Sequence, residues 1–128
     1  MSIKNWHRSK NIGEALTFAL RGIQDIFVRE QNVRIQALVG TLVVCTMLFL
    51  RLPLFQMAIL IIMIIFVITL EMINTSLELF SDSLHPQYSE TIKSVKDMLA
   101  GSVLLASIGA CIVGILILAP AFYNYLYY

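Results

Sequence analysis

The chain predicts an all-α integral membrane protein, three transmembrane helices preceded by an amphipathic interfacial helix, on three observations. Hydrophobic residues make up 59% of its 128 residues, charged residues 13%, and the mean hydropathy is +0.82. That is more apolar material than a soluble domain of this size hides in a core. Three long runs carry no charge. Ahead of them, charged and apolar residues alternate at helical spacing. Residues 1–11 read as a tail, and residues 12–128 as one membrane domain, with an interfacial helix over 12–33 and spans over about 34–51, 53–80 and 97–121.

In the first helix, Ile12, Ala15, Leu16, Ala19, Ile23, Ile26 and Phe27 form an apolar face opposite Glu14, Arg21 and Asp25. Such a helix lies in the membrane interface. A cleavable signal peptide is the competing reading. It fails because the charged segment is too long and has no contiguous apolar core before the first span.

The first charge-free run, residues 35–50, is short, reaching about 24 Å at about 1.5 Å per residue. Arg34 and Arg51 bracket it and can snorkel to the two interfaces. The second run, residues 52–70, contains one amide, Gln56, and Pro53 stands where a helix begins. The third starts after Asp97 and carries Tyr123, Tyr125, Tyr127 and Tyr128, an aromatic belt. Between the second and third spans, Pro86 biases His85 away from helix and separates span two from a short helix ahead of span three. Small residues on one side of span three, Gly101, Ser102, Ala106, Gly109, Ala110 and Gly114, predict close helix packing.

Eight of the nine Lys and Arg lie on one side of these spans, and Arg51 alone lies on the other. The positive-inside rule therefore predicts a multi-pass membrane protein with the N-terminus and the loop after residue 80 in the cytoplasm. Nucleic acid is set aside as a partner. The net charge is +1, and the cations are scattered rather than interleaved with aromatics. Cys45 and Cys111 lie within spans without metal or redox spacing and predict two free thiols. No GxxxxGK[ST] or GxGxxG loop is present, so any nucleotide is held without a P-loop.

The second span turns polar on one face. Glu71, Asn74, Glu78 and Asp82 fall at i, i+3, i+7 and i+11, one stripe of an α-helix. Carboxylates there are expensive unless water, metal or a partner compensates them. Glu71 lies deeper than Glu78 by about 10 Å along the axis, near the level of a lipid hydroxyl. Glu78 and Asp82 approach water and suit a hydrated magnesium ion, which takes carboxylate and phosphate oxygens. The competing reading pairs these acids with Lys or Arg of a neighbouring helix as packing. Lys96-Asp97 at the start of span three reads either as a phosphate contact or as a snorkelling anchor. Glu30 reads as a surface acid unless its helix lies against span two. His85 is a turn residue, and Trp6 and His7 belong to the tail.

The stretch Glu71-Met72-Ile73-Asn74-Thr75-Ser76-Leu77-Glu78, then Asp82, then Lys96-Asp97 before Ala100-Gly101-Ser102, resembles the prokaryotic diacylglycerol kinase family. Upstream, Arg21-Gly22-Ile23 and Glu30-Gln31-Asn32-Val33-Arg34-Ile35 extend the likeness over nearly the whole chain after residue 11. The resemblance implies an ATP-dependent lipid kinase of the bacterial cytoplasmic membrane, working as a homotrimer with active sites shared between subunits. It assigns Glu71 as the general base contacting the lipid, Asn74 as its neighbour in the catalytic motif, and Glu30 with Glu78 as the Mg2+ carboxylates. Phe18, Glu30, Glu78, Asp82, Lys96 and Asp97 fall at nucleotide positions. Phe18 stands where the family often has tyrosine, Asn11 where it has a basic residue and Ser89 where it has histidine. The acceptor in the family is diacylglycerol or undecaprenol. Glu30-x-Asn32-x-Arg34-Ile35 and Asn74-Thr75 look more like the undecaprenol kinase branch.

Two other classes compete. A small transporter or proton channel carries its carboxylates near the midplane, often relayed through several spans, whereas spans one and three have none. A non-enzymatic oligomeric membrane protein needs only the small-residue helix and leaves the acidic stripe unexplained.

Overall fold

The computed structural model describes residues 11–84 and 89–127. The tail before residue 11, the turn at His85-Pro86-Gln87 and Tyr128 lie outside the described residues. Four helices follow in order: α1 (Ile12–Arg29), α2 (Gln31–Phe49), α3 (Leu54–Leu84) and α4 (Glu90–Tyr127). There is no strand among the described residues. The helices α2, α3 and α4 are long and apolar enough to cross a membrane. At about 1.5 Å per residue, the 19 residues of α2 just match a hydrocarbon core of about 30 Å, while α3 with 31 and α4 with 38 overshoot it.

Helix α1 starts where Asn11 accepts a hydrogen bond from the Glu14 N–H at 2.9 Å. That capping role explains an asparagine at this position. The helix ends at Glu30, whose extended backbone (φ −101°, ψ 119°) separates it from α2. The break therefore comes three residues earlier than residue 33, and α2 begins at Gln31 rather than at 34. Arg34 stabilises the corner. Its Nη1 donates to the Phe27 and Val28 carbonyls at 3.0 and 2.9 Å, so it caps α1 rather than merely snorkelling. Of the apolar face of α1 only Ile26 is buried. The rest stays available for a membrane interface, as its amphipathic pattern predicts.

Helix α2 ends in a Schellman motif. The Leu52 N–H reaches the Met47 carbonyl at 3.1 Å and the Arg51 N–H reaches that of Leu48 at 3.2 Å. Arg51 takes the left-handed position at φ 52°, which costs a non-glycine residue about 1–2 kcal/mol. The hydrophobic contact that accompanies the motif is present too, since Met47 and Leu52 join Leu60 in the core. Pro53 follows and α3 begins at once, so four residues, Leu50 to Pro53, reverse the chain.

Along α2 the buried positions are Val33, Gly40 and Met47, spaced by seven. On α3 they are Leu60, Val67, Glu71 and Thr75. These two seams face each other, and a heptad spacing keeps a seam in register over two helices. Gly40 sits tight against α3, where an added Cβ would stand 2.8 Å from Ile64 Cγ2. Gly40→Ala is expected to push the helices apart and lower stability by about 1–3 kcal/mol, read as a drop in the unfolding midpoint in detergent. Unchanged unfolding would show that Ile64 yields instead.

Helix α4 packs against α3 yet buries no residue of its own. A Cβ on Gly101, Gly109 or Gly114 would meet nothing within 4 Å. These three glycines of the stripe expected to pack span three therefore meet no neighbour at Cβ distance within the chain, whereas Gly40 of α2 does. The separate short helix expected ahead of span three is absorbed into α4, which runs unbroken from Glu90 because no proline or glycine interrupts residues 90–100. At its other end α4 passes Pro120 and continues to Tyr127. Tilted ring pairs, Tyr123 with Tyr127 and Phe49 with Tyr125, lie along this last stretch. Thr41, Thr46 and Ser107 donate to carbonyls four residues back, so their hydroxyls need no water within the spans. Cys45 and Cys111 are free thiols.

Candidate functional site

The acidic stripe of α3 becomes a gradient of burial. Glu71 is 4% exposed, Asn74 and Glu78 are half-buried, and the Asp82 side chain is 64% exposed. A buried carboxylate needs donors, and α2 supplies one. Asn32 Nδ2 donates to Glu71 Oε1 at 2.9 Å. One turn nearer the loop, Asn74 Nδ2 donates to Glu78 Oε1 at 3.3 Å, leaving Asn74 Oδ1 buried without a partner. Lys96 at the start of α4 pairs with Asp82 through Nζ and Oδ1. Both charges are partly solvated, so the pair contributes little stability and brings a cation beside the stripe. A purely packing role thus fits Asp82 but not Glu71 or Glu78, whose recorded partners are neutral amides.

Other expected site residues spread around this core. Glu30, half-buried, occupies the α1–α2 junction and its side chain makes no capping hydrogen bond. Phe18 is exposed on α1, and Asp97 is exposed one residue after Lys96. Among the described residues, no three His, Cys, Asp or Glu come together as a metal cluster. Magnesium does not need one, because it keeps several waters and binds through one or two carboxylates plus substrate phosphates.

Sequence reasoning treated Asn32 only as part of a motif and overlooked it as the partner of Glu71. The available signal was an amide at the start of an apolar run, a position costly to keep without a polar contact. Beneath the Asn32–Glu71 pair, a groove of about 500 Å³ opens between α2, α3 and α4. Its lining includes Gln36, one turn below Asn32, and Val67, one turn below Glu71. Gly40, Ile64 and Ile115 continue it toward the middle of the spans, so an apolar groove ends about one turn short of the buried carboxylate.

The fold and site together define a small multi-span membrane protein with a carboxylate centre at one end of its bundle and an apolar groove beneath. The family model described as prokaryotic diacylglycerol kinase matches residues 17–118, and the chain belongs to that family of lipid kinases. It is 34% identical over 116 residues to a diacylglycerol kinase of Synechocystis sp., covering 90% of this chain and 66% of that protein. Over 107 residues it is 27% identical to an undecaprenol kinase of Bacillus subtilis, covering 84% of this chain and 87% of that one. No solved structure matches.

Proposed function

We propose that this chain transfers the γ-phosphoryl group of ATP to the hydroxyl of a membrane lipid, at a site facing the cytoplasm. The observation that carries the proposal is Glu71, a buried carboxylate one helical turn beyond an apolar groove and hydrogen-bonded by Asn32. Phosphoryl transfer asks for positioning, charge neutralisation and a base within reach of the nucleophile. Glu71 accepts the proton of the lipid hydroxyl as its oxygen bonds to the γ-phosphorus and the bond from that phosphorus to the β–γ bridging oxygen breaks, releasing ADP, and Asn74 stands beside it. The groove takes the hydrocarbon chain of the lipid and sets its head at the carboxylate. Glu30 and Glu78 would hold Mg2+, which would neutralise phosphate charge. Phe18, Asp82, Lys96 and Asp97 contact the nucleotide, Lys96 as a point charge for phosphate. The chain acts as a homotrimer, its sites shared between neighbouring subunits.

Undecaprenol is the favoured acceptor, from the motif around Glu30, Asn32 and Arg34 and from Asn74-Thr75. Diacylglycerol is the second reading, favoured by the higher identity to the Synechocystis protein. Purified protein in detergent with radiolabelled ATP, Mg2+ and either lipid decides between them. Label is expected in the undecaprenol fraction. Label in diacylglycerol alone reverses the substrate assignment, and label in neither removes the activity. Crosslinking in native membranes tests the trimer.

A further inference from the structure

The end of the bundle opposite the acidic stripe carries a second pocket, of about 330 Å³, where the α2–α3 turn meets α4. Its polar lining is Arg51, Gln56, Asn124 and Tyr125, and Leu52 and Ile117 form part of its apolar wall. All four polar side chains can donate hydrogen bonds, and only Arg51 carries charge. Arg51 is the sole Lys or Arg from residue 35 to 92, and no Asp or Glu occurs from 31 to 70 or after 97. No Asp or Glu side chain among the described residues is therefore placed at this end to neutralise it. Two further features hold the pocket in shape. The backbone keeps Arg51 in the left-handed region at φ 52°, where glycine would serve the turn more easily. The Tyr125 ring packs on Phe49, centroids 5.2 Å apart, and so is tied to the end of α2.

We propose that this pocket binds the phosphate of a phospholipid head group in the leaflet opposite the acidic site. A guanidinium forks onto two phosphate oxygens, and the Gln56 and Asn124 amides and the Tyr125 hydroxyl supply the remaining donors. A lipid, rather than free phosphate, suits the position. The turn joins two membrane-spanning helices, so the pocket lies at head-group depth, and apolar walls continue below the donors.

Native mass spectrometry of the purified chain tests this with three probes: phosphatidylglycerol, a phosphate-free galactosyl diacylglycerol and inorganic phosphate. Wild type is expected to retain phosphatidylglycerol and to bind the glycolipid about tenfold less tightly, as the loss of a charge-assisted hydrogen bond predicts. Arg51→Asn keeps a residue that tolerates the left-handed backbone and should weaken phosphatidylglycerol binding about tenfold. Arg51→Lys should recover only part of it, because an ammonium cannot fork. Gln56→Leu, which leaves the turn intact, should weaken it as well and keeps the test open if Arg51→Asn fails to fold. Wild-type binding by Arg51→Asn or Gln56→Leu, complete recovery by Arg51→Lys, or equal binding of the glycolipid overturns the proposal. Inorganic phosphate bound as tightly as the phospholipid overturns its lipid assignment. Lipid phosphorylation by Arg51→Asn should match wild type, so this test and that of the kinase reading fail separately.

Discussion

Glu71→Gln is expected to lower lipid phosphorylation by about 10²–10⁴-fold, the range that a positioned general base contributes. The substitution changes no volume, and its amide oxygen can still accept the Asn32 hydrogen bond, so the α2–α3 seam should survive. What disappears is the ability to take a proton from the lipid hydroxyl. Because Glu71 lies below the residues assigned to the nucleotide, ATP affinity should stay within about twofold of wild type, a binding change under 1 kcal/mol. The readouts are turnover with saturating lipid and, separately, nucleotide binding by calorimetry. Turnover within tenfold of wild type would remove Glu71 from the base role. A parallel loss of ATP binding would instead make it part of the nucleotide site.

Asn32→Leu should produce the next largest effect. Asn32 Nδ2 is the recorded hydrogen-bond donor to the buried Glu71 carboxylate. Removing it leaves that charge uncompensated, at a stability cost of about 1–3 kcal/mol, and frees the carboxylate to leave its productive orientation. A loss of about 10–100-fold in kcat follows if orientation supplies a few kcal/mol of the barrier. Asn32→Asp should be worse than Asn32→Leu, since it sets two carboxylates at hydrogen-bond distance. The double variant Asn32→Leu/Glu71→Gln should be no slower than Glu71→Gln alone, because positioning a base that is absent achieves nothing. Additive losses would show that Asn32 acts on something other than Glu71.

Much of this was legible before any coordinates. The number of spans, the amphipathic first helix and the stripe from Glu71 to Asp82 depend on hydrophobicity and on a repeat of about 3.6 residues, both properties of the chain read locally. Pro53 marked the start of α3 for the same reason, since its ring fits a helix beginning. The corrections were local too. The end of α1 moved to Glu30 because Arg34 reaches back to cap Phe27 and Val28, a contact that no propensity encodes. Helix α4 runs from Glu90 past Pro120, because one missing N–H does not outweigh the helical hydrogen bonds on either side of it.

By itself the sequence determined that this chain spans a membrane three times and carries acids along one face at one end. It determined this because burial preference and helical period belong to each residue and its near neighbours. Only the tertiary structure decided that Glu71 meets Asn32, 39 positions away, that Lys96 meets Asp82, and that Gly40 of α2 lies tight against Ile64 of α3. Those outcomes depend on the register of one helix against another. The register follows from where backbones can approach within van der Waals distance, which a glycine on α2 permits beside Ile64.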